Sequence, residues 1–169
     1  FPHPGSLPHH TGLRSRLPWQ LSVVRHRHPH ACKSRHSPSV LNGELTRVRR
    51  GRDLITTAQF ENFDLTLEWK VELGGNSGIL FRAVEGPEQI YMGAPEMQIL
   101  DDDNHADGRS PLTSVGSNYA IHPAPRGLAH PVGEWNSVRI LVDGNHVEHW
   151  LNSFRTVEYE LGSVDWRER

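Results

Sequence analysis

The sequence predicts an all-β protein, a sandwich or jelly roll in which two antiparallel sheets enclose one core. Three observations carry that prediction. From Leu41 onward, short apolar runs recur at even spacing, with Gly, Asn, Asp and Pro between them. The clearest run alternates strictly, with Phe63, Leu65, Leu67, Trp69 and Val71 on one side and Asp64, Thr66, Glu68 and Lys70 on the other. No helical period of useful length interrupts the pattern, except in a short stretch after Gly162.

The 169 residues suffice for one domain with a real core. Their net charge of −2 conceals a split: residues 1–40 carry Arg14, Arg16, Arg25, Arg27, Lys33 and Arg35 and no acid, a local charge of +6 that leaves −8 for the rest. That leader also holds six of the twelve prolines, seven of the twelve histidines and the single cysteine, Cys32. No regular period survives Pro2, Pro4, Pro8, Pro18, Pro29 and Pro38, so residues 1–40 are expected to be disordered or foreign to the domain, which then occupies residues 41–169. The histidines at 26, 28, 30 and 36 could bind a metal and the arginines nucleic acid, but neither signal is specific: the histidine run reads as composition, and six positive charges without interleaved aromatics make a poor nucleic-acid footprint. No apolar run approaches the roughly 20 residues of a membrane span, and residues 21–24 are too short for the core of a signal peptide. With one cysteine, no disulfide forms within the chain.

In order, Asn42-Gly43 is a tight-turn pair between Val40-Leu41 and Leu45, which predicts a hairpin. Gly51-Arg52-Asp53 turns into the β-branched run at 54–57, and the alternating strand at 63–71 follows. Gly74-Gly75-Asn76-Ser77-Gly78 is read as a turn into Ile79-Leu80-Phe81-Arg82, with Ile79 and Phe81 toward the core. Glu96 to Asp101 begins as a strand with Met97 and Ile99 on one face and Glu96 and Gln98 on the other, then enters an acidic loop with His105 and Asp107. Residues 101–133 form a long polar loop, a length that tends to be functional, with a short strand at 117–121. The clearest hairpin turns at Gly144-Asn145, which pairs Val142 with Val147, Ile140 with His149, Val138 with Leu151, and Arg139 with Trp150 on the opposite face. His149 is thereby expected in the core, as are Trp69 and Trp135, while Arg139 meets Trp150 as a cation–π pair. Asn152-Ser153 turns into a last strand at 156–161.

The strand and loop from Glu96 to Asp107 admit two readings, a solvated edge with its turn or a polar ligand site. If the sheets curve, Glu68, Arg82, Glu96, Gln98, Arg139, Glu148 and Trp150 line the concave side, and the ligand site is the reading that this context favours.

The ordered set Asn42-Gly43-Glu44-Leu45, Asp53-Leu54-Ile55-Thr56, Phe60-Glu61-Asn62-Phe63, Leu67-Glu68-Trp69-Lys70, Gly75-Asn76-Ser77-Gly78-Ile79 with Arg82, Glu96-Met97-Gln98-Ile99-Leu100-Asp101 with His105 and Asp107, Gly133-Glu134-Trp135-Asn136, Arg139-Ile140 and His146-Val147-Glu148-His149-Trp150-Leu151-Asn152 resembles the 3-keto-disaccharide hydrolase domain family from about Leu41 to the end. The resemblance implies a concanavalin-like (laminin-G-like) jelly roll of two antiparallel sheets. The family carries a strand ahead of the Asn-Gly hairpin and further strands beyond Arg169, so an incomplete sandwich is expected. It has a glycine where this chain has Ser153, so strain is expected in that turn.

The resemblance further implies a glycoside whose ring bears a ketone at carbon 3, cleaved at its glycosidic bond by elimination and then hydration. Such a reaction needs a base, a polariser for the enolate oxygen and an acid for the leaving oxygen. Glu96, Glu68 and His105 are the candidate base and acid. Arg82, Arg139 or a divalent cation is the candidate polariser, with Asp101 and Asp107, beside Glu96 and His105, as the ligands such a cation would take. Asn76, Gln98 and Glu148 are further substrate-binding candidates, and Tyr119 and Trp150 would stack on the sugar. Glu68 and Glu96 would also serve as a glycosidase carboxylate pair if they lie close enough. A non-catalytic carbohydrate-binding module is the rival, since such sandwiches bind glycans without cleaving them. Carbohydrate is the expected partner, without nucleic acid or a membrane span, and the resemblance implies a periplasmic or secreted protein.

Overall fold

The computed structural model describes residues 20–22, 39–41, 44–46, 56, 59–83 and 94–169. Within them are β1 (Gln20–Ser22), β2 (Ser39–Leu41), β3 (Glu44–Thr46), β4 (Phe63–Lys70), β5 (Asn76–Leu80), β6 (Glu96–Leu100), β7 (Asn136–Asp143), β8 (His146–Leu151), β9 (Phe154–Glu160) and one short helix, α1 (Val164–Glu168). They form a seven-stranded sheet in the order β2-β3-β1-β4-β7-β8-β9 and a two-stranded sheet, β5-β6. This is an all-β sandwich. The pairing is antiparallel throughout except at β1, which runs parallel to both β3 and β4.

One short strand, β1, falls inside residues 1–40, where the sequence predicts no regular element, and β2 begins there and ends at Leu41, the arm of the expected hairpin. The expected hairpin strands pair antiparallel as β2 and β3, with Leu41 opposite Glu44, while Asn42 and Gly43 lie outside the described residues. The turn at 51–53 and the run at 54–57 lie outside the described residues except for Thr56. β4 buries Trp69 and alternates as its sequence dictates. Gly74-Gly75 does turn, but Asn76, Ser77 and Gly78 already belong to β5 rather than to the turn. The β7–β8 register is the expected one, Val142 to Val147, Ile140 to His149, Val138 to Leu151 and Arg139 to Trp150, because the two-residue loop leaves no other.

The core lies between the sheets. Trp69, Val138, Ile140, Val142, Val147, Leu151, Val157 and Tyr159 from the larger sheet meet Met97 and Ile99 from the smaller one, with Phe81 and Val115 filling in. His149 is fully buried among them, edge-on to Phe81 and Tyr159 with ring centroids 5.8 and 5.6 Å away. Trp135 is only half-buried, because Lys70 Nζ sits 4.3 Å above its ring and stays near water.

The long polar stretch is no loose loop. Residues 114–118 are all buried, and Gly116, Ser117 and Tyr119 exchange backbone hydrogen bonds with Gln98 and Glu96, so this segment pairs along the free side of β6. The short strand expected at 117–121 is reduced to isolated bridges of Asn118 with Met97 and His122. Among the described residues, no helix is long and apolar enough to cross a membrane.

Candidate functional site

The cross-strand register of β5 and β6 places Asn76, Gly78 and Leu80 on the same face as Leu100, Gln98 and Glu96, the face turned away from Met97 and Ile99. The Glu96 side chain lies across Gly78: a Cβ added there would come within 1.8 Å of Glu96 Oε1. Only glycine leaves room for the carboxylate at that point. Gln98 is buried, with Nε2 directed at the Thr113 carbonyl 3.5 Å away and Oε1 without a hydrogen-bond partner.

The acidic loop that follows β6 is ordered by its own carboxylates. Asp101 accepts from the backbone N–H of Gly74 at 2.7 Å, of Asp103 at 3.2 Å and of Asn104 at 3.3 Å, and from Asn104 Nδ2 at 2.9 Å. Asp102 accepts from Val115 N–H at 2.9 Å and so ties the loop to the segment beside β6. Burial pushes the Asp102 carboxyl above the usual carboxylate range, against the opposing pull of that hydrogen bond and of Arg126. His105 then caps a 3₁₀ turn at Ala106–Arg109, its Nδ1 accepting from Asp107 N–H at 3.1 Å.

The turn aims Asp107 back at the small sheet. Its Oδ2 receives the Tyr119 hydroxyl at 3.3 Å and Asn76 Nδ2 at 3.4 Å, and Asn76 Nδ2 also lies 3.4 Å from His105 Nε2. An open groove of about 480 Å³ runs past His105, with Asp103, Arg109 and Arg126 in its walls. Asn76, His105, Asp107 and Tyr119 thus form one hydrogen-bonded group at the end of the β5–β6 face that carries Glu96 and Gln98. Together with Glu96 and Gln98, the group offers two carboxylates, an imidazole, two amides and a phenol within one polar patch.

The remaining expected residues do not join it, because they belong to the other sheet. Glu68 is exposed on β4 opposite Ser137, and Arg139 is on the same outer face of β7. Arg139 makes a two-pronged bond to Asp64, with Nε to Oδ1 at 2.7 Å and Nη2 to Oδ2 at 3.0 Å, and its guanidinium lies 5.9 Å from the Trp150 ring centroid. Trp150 Nε1 donates to Glu148 Oε2 at 2.7 Å, which, ahead of the other contacts, holds the Glu148 carboxyl below its ordinary range. These groups point away from the core on the side opposite β5–β6. The single concave array expected from the sequence is therefore split in two, and Glu68 and Glu96 do not form a carboxylate pair. Arg82 is also engaged elsewhere: its backbone has φ 49°, and its guanidinium donates to the carbonyls of Glu61, at 3.3 Å, and Gly144.

Two metal readings can be weighed against this geometry. Asp101 does not fit a ligand role, since both its oxygens are taken by backbone and amide donors. On the outer face of the larger sheet, His146, Glu148 and Glu158 bring ligand atoms within 4.8 Å of one another. Arg155 already occupies that cluster, 2.9 Å from Glu158 and 3.6 Å from Glu148.

One constellation escaped the sequence. Asn118 Nδ2, His122 and Asp165 form a chain with links of 3.0 and 3.0 Å, and the His122 ring stacks on Tyr159, which stacks on Trp166. His122 and Asp165 are 43 positions apart, so no local spacing announces them. The contacts fasten α1 to the sandwich.

A family model described as the 3-keto-alpha-glucoside-1,2-lyase-like domain matches residues 18–169. The chain belongs to that family. A 3-keto-disaccharide hydrolase of Bacteroides thetaiotaomicron is 41% identical over 129 residues, which cover 69% of this chain and 44% of that protein. The chain thus spans less than half the length of this curated relative. Two Parabacteroides distasonis proteins described as candidate glycosyl hydrolases have similar crystal structures. One is 34% identical with a TM-score of 0.62, over 66% of this chain and 56% of the other. The second is 29% identical with a TM-score of 0.56, over 62% of this chain and 54% of the other. In this family member, then, Glu96, Gln98, Asn76, His105, Asp107 and Tyr119 share one face, whereas Glu68, Arg139, Glu148 and Trp150 lie on another.

Proposed function

We propose that this chain carries the sugar site of a glycoside-cleaving enzyme acting on 3-keto-glycosides by elimination followed by hydration. The observation that carries the reading is the convergence of Asn76, His105, Asp107 and Tyr119 on the Glu96–Gln98 face, in a chain 41% identical over its matched length to a 3-keto-disaccharide hydrolase. A ketone at carbon 3 acidifies the proton on carbon 2, which a carboxylate base can remove. The C–H pair becomes the enolate, and the enolate collapses to expel the glycosidic oxygen from carbon 1, which leaves with a proton. Water then adds at carbon 1 and a proton returns to carbon 2, so the net change is hydrolysis.

Glu96 is the base in this scheme, its carboxylate fixed over Gly78, and Asp107 and Tyr119 orient the groups beside it. No step is routed through a metal; of the candidate cation ligands Asp101 is engaged in holding its loop, and the chelator arm of the test reads whether a cation takes part. The test is incubation of the chain with a glucoside and with its 3-keto derivative, with and without chelator. Cleavage of the keto form alone is expected, and Glu96→Gln should reduce turnover by at least about 10²-fold with the fold intact. Binding of ordinary glycans with no turnover of either compound would instead identify a carbohydrate-binding module.

A further inference from the structure

Gly78 lies inside β5, directly opposite Gln98, at a position where glycine ordinarily weakens a strand. Its backbone gives no reason for the choice: unlike Gly74, Gly116 and Gly144, it has no positive φ, so its conformation is open to any residue. The reason is spatial. We infer that Gly78 is a positioning residue whose missing side chain is the seat of the Glu96 carboxylate, and that the seat takes a free carboxylate of formate size once Glu96 is cut back to alanine. The inference rests on the proposed role of Glu96 as the base and says what fixes that base in place.

Glu96 pairs with Leu80 and not with Gly78, so its side chain reaches diagonally along the face to lie over the neighbouring position. A Cβ at 78 would meet Glu96 Cγ at 2.6 Å and Cδ at 2.5 Å as well as the carboxylate oxygen. Side-chain carbons do not approach so closely. Turning the carboxylate about its last bond would not clear a methyl group, because the stem is in the way as well. The whole side chain would have to leave its rotamer.

Little space is open to it. Glu96 is 6% exposed, and Gln98, next along the same face, is 1% exposed. On the side away from β5, Tyr119 N–H donates to the Glu96 carbonyl at 2.9 Å, and the Met97–Asn118 bridge sets Tyr119 beside Glu96 on that face. The hydrogen-bonded pairing of 76–80 with 96–100 makes Gly78 and Glu96 parts of one rigid ladder, so the seat keeps its place relative to the carboxylate.

Position matters because a base removes the carbon-2 proton efficiently only from the right geometry, and a displacement of about 1 Å costs about 10²-fold in rate. Cutting Glu96 back to alanine removes Cγ, Cδ and both oxygens, one atom more than formate fills. Formate in the seat takes the carbon-2 proton in place of Glu96 and departs as formic acid. The C–H pair forms the enolate, and the enolate expels the glycosidic oxygen as in the intact enzyme. A methyl group at 78 occupies the same space and shuts the ion out.

Thermal melts of the full chain test the seat without reference to activity. Gly78→Ala should lower the melting temperature of the wild type and raise that of Glu96→Ala, where no side chain opposes the new methyl group. The same sign in both backgrounds overturns the inference. Kinetics test the role. Gly78→Ala should lower kcat on a 3-keto-glycoside by about 10²-fold with KM within about twofold of wild type, and a loss confined to KM overturns the positioning. Added formate should restore part of the turnover of Glu96→Ala, saturably, and should restore none to Gly78→Ala/Glu96→Ala, a variant in which the clash is absent and the fold is therefore kept. Rescue of both variants alike, or of neither while the wild type is active, overturns the role of Gly78 and leaves the reaction class standing. Failure of the wild-type chain to turn over any 3-keto-glycoside overturns the reaction and the role of Gly78 in it together, and the melts then report on the steric seat alone.

Discussion

At the scale of single residues, His149 shows what burial does to a titratable group. Its ring sits wholly inside the core, and desolvation lowers its pKa from 6.5 to about 3, so it is neutral in the folded protein. Nε2 is 3.5 Å from the Tyr159 hydroxyl, and Nδ1 faces the Gly116–Ser117 backbone without an aligned hydrogen bond. The unfolded chain binds a proton at this residue below pH 6.5 and the folded chain does not until about pH 3, so stability is greatest above that upper limit and falls with acidification across the window. The slope due to this residue approaches about 1.4 kcal/mol per pH unit. Urea unfolding from pH 7.5 down to pH 4 should show His149→Phe losing less stability than the wild type, and parallel curves would refute the assignment. The sequence placed His149 in the core through the β7–β8 register alone, while the size of its burial depends on Phe81 and Tyr159, which other strands supply.

At the scale of an element, the β8–β9 hairpin holds a local strain, expected because the family carries a glycine where this chain has Ser153. Leu151 pairs with Phe154, so Asn152 and Ser153 form a two-residue turn, with φ of 48° and 70°. Left-handed backbone disfavours any side chain, yet the two positions should respond in opposite ways to glycine. Asn152 is committed to the fold, its Nδ2 donating to Leu128 O and Asn136 Oδ1 at 2.8 Å each and its Oδ1 accepting from Ser137 N–H at 2.9 Å. Ser153 is exposed. Ser153→Gly should therefore stabilise the protein by about 1 kcal/mol, and Asn152→Gly should destabilise it by about as much or more. Thermal melts of the two variants check both signs. Farther along, the β8–β9 register shifts at His149/Trp150 and Thr156 turns inward, its hydroxyl donating to Gly116 O at 2.7 Å. The alternation of Thr156 to Leu161 carries no sign of that bulge, because a bulge is a property of two strands and not of one.

At the scale of the whole molecule, the sandwich keeps two polar faces on opposite sides of one core. Asp64, Arg139, Glu148 and Trp150 interlock on the larger sheet, and Asn76, His105, Asp107 and Tyr119 do so beside the smaller one. Side chains with no shared partner contribute additively. Trp150→Ala should leave turnover of a 3-keto-glycoside within about twofold of wild type and should add to, not compound, the loss from Glu96→Gln. A large drop with Trp150→Ala alone would mean that the two faces meet at one site.

The sequence by itself determined most of the strands, their inward and outward faces and the β7–β8 register, since a period of two and a two-residue turn are written in neighbouring residues. It also marked Glu96, Gln98, His105 and Asp107 as a group, because one strand and its following loop deliver them together. Only the tertiary structure decided which sheet each strand joined. Alternation tells a side chain which way to point relative to its own strand and says nothing about the strand's partners. Glu68, Arg139 and Trp150 look equivalent to Glu96 in sequence, and they are separated from it by the full depth of the core because β4, β7 and β8 pair with one another and not with β6.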